Sequence, residues 1–158
     1  MGKYNTKEFF MEIAHLVKLQ SHCVKIQVGA VITKDNRIIS IGYNGTPKGM
    51  INCDDVFDKN DFDPDEHHIF SMNNEIHAEV NAIIYATKNS VDISDSTLYV
   101  TTSPCHDCAK IIVATGIKHV IYDKLYEREK DIPINFMKKA GIFVEQYTPD
   151  FSLIKKLI

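Results

Sequence analysis

The stretches His77-Ala78-Glu79 and Pro104-Cys105-His106-Asp107-Cys108 decide the fold of this chain, because a shared metal would bring two helix starts to one place. One imidazole nitrogen and two thiolates form a soft donor set that is suited to zinc. Three protein ligands leave a fourth tetrahedral position for water, which distinguishes a catalytic zinc site from a closed structural one. We therefore predict zinc (Zn²⁺) ligands at His77, Cys105 and Cys108, and Glu79 as the catalytic proton carrier beside them.

Each stretch alone is a weak signal, since a C-x-x-C pair also occurs as a redox dithiol or as half of a structural zinc site. The two stretches stand in the order H-x-E and then P-C-x-x-C, each at the expected start of a helix. This combination is the signature of zinc-dependent nucleobase deaminases. A structural zinc site and a redox pair are the alternative interpretations.

The composition indicates one globular domain that spans residues 1–158. The chain has 44% hydrophobic and 25% charged residues, and it contains no repeat or low-complexity tract. Its formal charge is −3, its pI is near 6.1, and no run of lysines and arginines is present. Phosphate neutralisation carries most nucleic-acid affinity. The charge pattern therefore favours a small substrate and predicts no nucleic-acid partner.

The sequence has no feature of a signal peptide, and no apolar run reaches the roughly 20 residues that span a bilayer. We therefore expect a cytoplasmic protein without a membrane partner. The chain has four cysteines. Two of them are assigned to metal, which is a poor basis for a disulfide framework and agrees with a reducing compartment.

Strand and helix patterns alternate after an opening β-hairpin. The predicted strands are 28–33, 37–41, 97–102, 118–122 and 142–147; the predicted helices follow Asn5 and Asn73 or Asn74, cover 105–115 and 134–140, and end with a short helix after Asp150. This order predicts an α/β fold with three layers, α/β/α, around a mixed five-stranded sheet. Metal ligands at helix starts that follow strands predict a site at the carboxyl edge of that sheet.

Caps and apolar faces define two of the helices. Asn5 and Glu8 have the spacing of a capping box, and Asn73 or Asn74 can cap the helix that carries Glu79. The predicted buried faces are Phe9, Ile13, Leu16 and Val17 on the first helix, and Val80, Ile83 and Ile84 on the second.

Segment 50–70 is polar and acidic, which predicts a solvated loop insertion. It nevertheless contains Cys53 and the pair His67-His68, and Cys23 precedes the first strand. Two thiols and an imidazole could hold a second metal that ties this loop down. Buried free thiols are the alternative.

The stretch Gly42-Tyr43-Asn44-Gly45 ends the second strand of the hairpin. Glycine and asparagine tolerate positive φ, so this loop can bend sharply and bring backbone close to a ligand. The amide of Asn44 offers both a donor and an acceptor to a sugar hydroxyl or a base edge. An ordinary turn is the alternative interpretation.

The stretches His77-Ala78-Glu79, Ser103-Pro104-Cys105-His106-Asp107-Cys108 and Gly42-Tyr43-Asn44-Gly45 together closely resemble the deoxycytidylate (dCMP) deaminases of the cytidine deaminase-like superfamily. The resemblance implies hydrolysis of dCMP to dUMP and ammonia, which would supply dUMP for thymidylate synthesis. It also implies a homo-oligomer, commonly a hexamer, that is activated by dCTP with Mg²⁺ and inhibited by dTTP.

The resemblance also implies roles for individual residues. The catalytic zinc ligands correspond to His77, Cys105 and Cys108, and the proton carrier corresponds to Glu79. Implied substrate contacts are Asn44 on the deoxyribose, Ala78 and Ser103 on the base, Lys25 and Tyr126 on the phosphate or base, and Lys88 where some relatives carry arginine. Implied effector contacts are Gly42, Tyr43, Asn44 and Gly45. A second, structural zinc is implied at Cys23, Cys53, His67 and Glu75, with His68 as the competitor of His67.

Two other functions fit parts of the pattern. The first is the same chemistry on another substrate, such as a nucleoside, a free base or an adenine in RNA. The second is a non-catalytic binding module that zinc stabilises. The presence of Glu79 argues against the module, because a structural zinc needs no carboxylate beside it.

Overall fold

The computed structural model describes residues 2–158. Its helices are α1 (Thr6–Lys18), α2 (Cys53–Val56), α3 (Pro64–Asn74), α4 (Ala78–Lys88), α5 (His106–Thr115) and α6 (Ile132–Lys139), followed by a short 3₁₀ helix over Ile154–Lys156. Its strands are β1 (Gly29–Lys34), β2 (Arg37–Tyr43), β3 (Thr97–Thr102), β4 (His119–Lys124) and β5 (Phe143–Gln146). No helix within residues 2–158 has both the length and the apolar character needed to cross a bilayer.

The five strands form one mixed sheet in the order β2-β1-β3-β4-β5. Strand β1 runs antiparallel to both of its neighbours, whereas β3, β4 and β5 are parallel. Helix α1 packs on one face of the sheet, and α4, α5 and α6 contribute to the core on the other. The predicted three-layer α/β/α fold with a mixed five-stranded sheet is therefore confirmed.

The sheet has a hydrophobic core on each face, and side chains that alternate along the strands point into one core or the other. Val31, Tyr99 and Ile121 face α1, while Ile32, Leu98 and Val120 face the opposite helical layer. This follows from the period of two in a strand, which sends successive side chains to opposite faces of the sheet. Both faces of the central strands are therefore buried.

The hairpin between β1 and β2 forms where it was predicted. Asp35 and Asn36 have φ angles of 51° and 58°. Two consecutive residues with positive φ produce the type I′ turn that matches the twist of paired strands. Residues 34 and 37 pair directly on either side of this turn.

The predicted buried face of α1 was wrong in part. Asn5 does cap the helix, since its side chain accepts a hydrogen bond from the Lys7 amide at 2.9 Å. Phe9 and Leu16 are 45% and 48% exposed, whereas the side chains that pack on the sheet are Phe10, Met11, Ala14 and Val17. Both sets satisfy a helical period of 3.6 residues. Contact with the sheet decides between them.

The predicted capping box at Glu8 is also corrected. Its carboxylate accepts hydrogen bonds from the Tyr147 hydroxyl at 2.7 Å and from the Phe151 amide at 2.9 Å. Glu12, one turn later, accepts from the amides of Leu153 and Ile154 at 2.8 and 2.6 Å. These two buried carboxylates therefore fasten the C-terminal segment to α1 and satisfy its backbone donors.

Segment 50–70, predicted as a loop, contains α2 and the first part of α3. The side chain of Asp63 accepts from the amides of Asp65 and Glu66 at 2.8 and 3.0 Å, and Pro64 occupies the first turn of α3. Acidic residues in a first turn stabilise a helix through its dipole, so the acidic composition supports helix formation here. Cys23, Val24 and Cys53 also form a small core with Phe57, Phe62 and Phe70.

Helix α3 continues to Asn74, so Asn73 and Asn74 end this helix instead of capping the next one. The N-cap of α4 is His77. A further correction concerns its apolar face, because Ile84 is exposed and the buried face is Ala78, Ala82, Ile83 and Ala86.

The small residues of α4 allow close packing against β2 at Gly42. A Cβ at position 42 would overlap the carbonyl oxygen of Ala78 and the backbone nitrogen of Ala82. This contact explains why the second strand carries a glycine at the point where α4 crosses it.

We predict that Gly42→Ala lowers the free energy of unfolding by about 1–3 kcal/mol, because overpacking must move α4 away from the sheet. Gly45→Ala is the matched control, since a Cβ at Gly45 meets no atom within 4 Å. Urea unfolding of both variants measures the difference. Equal stabilities for the two variants contradict the prediction.

Candidate metal centre and active site

The starts of α4 and α5 bring three potential metal ligands together. His77 is the N-cap of α4, Cys105 is the N-cap of α5, and Cys108 lies in the first turn of α5. The Nδ1 atom of His77 is 3.3 Å from Sγ of Cys108 and 3.4 Å from Sγ of Cys105. All three ligand atoms lie within 4.8 Å of one another.

These separations fit a zinc ion. Nitrogen and sulfur ligands of one tetrahedral zinc are expected roughly 3.5 Å apart, given bond lengths of about 2.0 and 2.3 Å. One imidazole and two thiols also form the soft donor set that zinc prefers over magnesium or calcium. Because three side chains supply the set, one tetrahedral position would remain open for water or substrate.

Hydrogen bonds within the cluster favour the thiolate form of Cys105 and the protonated form of Cys108. The Cys108 thiol lowers the pKa of Cys105 to about 4, with a further contribution from His77. The hydrogen bond to Cys105 raises the pKa of His77 to about 9, and the pKa of Cys108 is raised by its bond to Cys105 and by burial. The helix N-terminus at Cys105 supports its negative charge as well.

Glu79 lies next to this cluster in the first turn of α4 and is only 4% exposed. Burial raises the pKa of its carboxyl group to about 7. A carboxyl group that titrates near neutral pH can accept a proton and release it again during one reaction cycle. The position and burial of Glu79 therefore suit a proton carrier and not a metal ligand.

A cavity of about 240 Å³ opens in front of the cluster. Five of the six residues predicted to contact substrate line it, namely Lys25, Asn44, Ala78, Ser103 and Tyr126. His77, Glu79 and Cys105 form part of the same wall. The cavity lies where β3 and β4 end, which is the carboxyl edge expected for a ligand site in a sheet of this kind.

Lys88 is the predicted substrate residue that the fold does not bring to the cavity. It is exposed at the last position of α4, whereas the cavity lies at the first turn of that helix. Ten residues of α-helix separate Lys88 from Ala78 by roughly 15 Å. Helix length therefore removes Lys88 from the site within this chain.

Asn44 is buried and holds the cavity wall together. Its Oδ1 accepts from the amide of Val28 at 2.8 Å, and its Nδ2 donates to the carbonyl oxygen of Ile26 at 2.8 Å. An amide has a second lone pair and a second N–H, so Asn44 can still bind a hydroxyl group in the cavity. Asn44 thus holds the segment that precedes β1 in place, and it keeps one donor and one acceptor for a ligand.

The other predicted effector residues, Gly42, Tyr43 and Gly45, differ in how accessible they are to a ligand. Gly42 is covered by α4, as described above, while Tyr43 is 39% exposed on the edge strand β2. Gly45 pairs with Ile76 through two backbone hydrogen bonds of 2.8 and 3.1 Å. This pairing ties the loop to the residue that precedes His77.

Cys23, Cys53 and His67 form a second cluster whose ligand atoms lie within 4.8 Å of one another. Nε2 of His67 is 3.5 Å from Sγ of Cys23. Burial raises the pKa of both thiols, that of Cys53 to about 11, and lowers the pKa of His67. The donor set is the same as in the first cluster and fits zinc for the same reason.

The other two predicted members of this second set have different surroundings. Glu75 accepts a hydrogen bond from the Ser71 hydroxyl at 2.6 Å and lines the cavity near the cluster. His68 is not part of the cluster with Cys23 and Cys53, and its ring contacts Arg128. The structure therefore places His67, and not His68, beside Cys23 and Cys53.

Arg128 was not among the residues predicted from the sequence, and it lines the cavity together with His68. Arg128 stands on the connection after β4, four residues beyond the end of that strand. Residues just past the carboxyl ends of parallel strands gather at one edge of a sheet. Its position after a predicted strand was the available signal.

Comparisons with known proteins agree with the site. The sequence model of the family described as "Cytidine and deoxycytidylate deaminase zinc-binding region" matches residues 4–124. Deoxycytidylate deaminase of Enterobacteria phage T2 is 38% identical, with 85% of this chain and 88% of that protein covered. Deoxycytidylate deaminase of Mus musculus is 36% identical, with 93% of this chain and 82% of that protein covered.

A solved structure shows the same fold. The dCMP deaminase of cyanophage S-TIM5, in complex with dCMP and dUMP, superposes with a TM-score of 0.76. The two sequences are 34% identical, and the match covers 93% of this chain and 100% of the cyanophage chain. Given the matching family model, the relatives and the H-A-E and P-C-H-D-C stretches that meet in one cavity, the chain belongs to the cytidine and deoxycytidylate deaminase family.

Proposed function

We propose that this protein hydrolyses dCMP to dUMP and ammonia, with zinc held by His77, Cys105 and Cys108. The observation that carries this proposal is the buried carboxyl group of Glu79 beside the three ligands, in a cavity large enough for part of a nucleotide. The cyanophage relative, which binds dCMP and dUMP, supports the choice of substrate.

Each residue of the site has a defined task in this reaction. When bound, zinc supplies Lewis acidity that makes water nucleophilic near neutral pH. Glu79 takes a proton from the attacking water, delivers it to N3 of the cytosine ring, and later passes a proton to the departing amine. Because Glu79 is shielded from solvent, it exchanges protons with the substrate in preference to bulk water.

The cavity wall positions the nucleotide. The backbone N–H of Ala78 and the carbonyl of Ser103 hold the base, and the free donor and acceptor of Asn44 bind the deoxyribose. Ser103 is itself held by two hydrogen bonds: its amide donates to the Lys124 carbonyl at 2.8 Å, and its hydroxyl accepts from the Tyr126 amide at 2.7 Å. Lys25 and Tyr126 stand at the open end for the phosphate.

Ammonia release from dCMP, deoxycytidine, cytosine and an adenine-containing RNA tests this function. We expect the zinc-loaded protein to be most active on dCMP, because the cations at the cavity mouth bind a phosphate that the nucleoside lacks. Equal or higher kcat/KM on deoxycytidine or RNA contradicts the substrate. Bound zinc with no turnover of any of these compounds contradicts the enzyme and supports a binding module.

A second zinc at Cys23, Cys53 and His67, with Glu75 as a fourth ligand, belongs to the same proposal. The cluster joins α2 and α3 to the segment before β1. A metal there would act structurally, since it would hold the acidic segment 50–70 against the wall of the active site.

Regulation is also part of the proposal. We infer that the protein is cytoplasmic and assembles as a homohexamer. The enzyme would be activated by dCTP with Mg²⁺ and inhibited by dTTP, and both effectors would bind at Tyr43, Asn44 and Gly45. Such an enzyme would supply dUMP for thymidylate synthesis. Rates of dCMP turnover with dCTP and Mg²⁺, with dTTP and with neither, together with the mass in solution, test these points. Rates that are the same in all three conditions contradict the regulation.

A further inference from the structure

The mouth of the active-site cavity carries two cations without anionic partners. Lys25 and Arg128 are exposed and line the cavity. Within residues 2–158 neither of them pairs with a carboxylate, although lysines elsewhere, such as Lys7 and Lys34, form ion pairs of 2.8 Å. Two unpaired cations at the open end of a cavity, opposite a buried reactive carboxyl group, favour an elongated ligand whose outer end is anionic.

The turn that carries Arg128 is fastened to the metal-ligand loop at two points. The Tyr126 amide donates to Oγ of Ser103 at 2.7 Å, and Oε2 of Glu129 accepts from the His106 amide at 2.5 Å. The turn is closed by a hydrogen bond of 2.9 Å from the Lys130 amide to the Tyr126 carbonyl. Arg128 therefore has a defined position relative to Cys105.

The guanidinium group of Arg128 rests on the imidazole ring of His68. Its Nη1 atom is 3.2 Å from Nδ1 and 3.1 Å from Nε2 of that ring. An in-plane position at these distances from both nitrogens would overlap Cε1, so Nη1 lies above the plane of the ring. This contact restrains the Nη1 end of the arginine, while no described residue accepts a hydrogen bond from its Nε or Nη2 groups.

We propose that Arg128 is the residue that recognises the 5′-phosphate and makes the site selective for a nucleotide over a nucleoside. This inference rests on the proposed function, since it assigns a role in binding the same substrate. Arginine presents a planar pair of donors that matches two phosphate oxygens, whereas Lys25 supplies a point charge from the other side. Glu129 is a positioning residue that acts through Arg128.

Binding of dUMP and deoxyuridine tests this role without requiring turnover. Isothermal titration of the zinc-loaded protein should show tighter binding of dUMP than of deoxyuridine. In Arg128→Gln this preference should fall roughly 10- to 100-fold, as expected for loss of a charge-assisted hydrogen bond. Arg128→Lys should lose less, because the charge remains while the paired donors are lost.

Lys130→Gln is the matched control for net charge. Lys130 is exposed in the same turn and is not among the described residues that line the cavity, so its removal should leave the preference for dUMP unchanged. If Arg128→Gln keeps the wild-type preference, or if Lys130→Gln loses as much, Arg128 is not the selective residue. A wild-type protein that binds both compounds equally also overturns the inference.

The role of Glu129 is separable from a general effect on folding. Glu129→Ala removes the acceptor of the His106 amide, so it should raise KM for dCMP with little change in kcat, and it should add nothing in the Arg128→Gln background. Additive effects of the two substitutions contradict the positioning role. Failure of the proposed function has a different signature: ammonia release from dCMP would be absent, while the titrations with dUMP would still report on Arg128.

Discussion

Replacing Glu79 by glutamine is expected to lower kcat for dCMP by about 10²- to 10⁴-fold, the range for loss of a general acid–base group. Glutamine has nearly the same shape and can occupy the same buried position in the first turn of α4. It cannot accept a proton from water and pass it to the ring. The three ligands His77, Cys105 and Cys108 are untouched, so zinc content and thermal unfolding should match those of the wild type.

Asp95→Asn is a suitable control for this exchange of carboxylate for amide. Asp95 is exposed in the turn before β3, and its φ of 57° is tolerated by asparagine. Its turnover should equal that of the wild type. Substantial activity in Glu79→Gln, or loss of zinc from that variant, would contradict the role of Glu79 as proton carrier and would favour a ligand or structural role.

Replacing Cys53 by serine is expected to reduce bound zinc from two ions to one per chain and to lower the free energy of unfolding by more than about 4 kcal/mol. Cys53 lies beside Cys23 and His67, and the core around it is small, with Cys23, Val24 and Cys53 packed against three phenylalanines. A metal would therefore supply much of the stability of segment 50–70. Zinc analysis and urea unfolding measure the two effects.

Cys105→Ser provides the comparison, because it should also remove one zinc but should abolish turnover with a smaller loss of stability. Helix α5 is embedded in the main core, whereas α2 is not. If Cys23 and Cys53 are instead buried free thiols, the wild type should bind only one zinc. Cys53→Ala should then lower the free energy of unfolding by only about 1 kcal/mol. That outcome would reject the second metal.

The structural cluster and the proposed phosphate contact share helix α3. His67 faces the thiols of Cys23 and Cys53, and the adjacent His68 supports Arg128. Neighbouring residues in a helix point about 100° apart, so one helix serves both sites. Loosening α3 by Cys53→Ser should therefore also weaken binding of dUMP.

The sequence by itself determined the features that depend on a few neighbouring residues. The two ligand stretches, the cap at Asn5 and the turn of the opening hairpin are local, because capping and turn formation involve groups within a few positions of one another. For this reason, the order of strands and helices and the chemistry of the first cluster could be predicted.

Only the tertiary structure decided which of several equivalent local patterns is used. His67 and His68 are indistinguishable in sequence, and the packing of α3 on Cys23 and Cys53 places one of them at the thiols. Arg128 reaches the cavity because its turn is tied to Ser103 and His106, more than twenty residues earlier in the chain. Such contacts join distant segments, and hydrophobic periodicity and local hydrogen bonding carry no record of them.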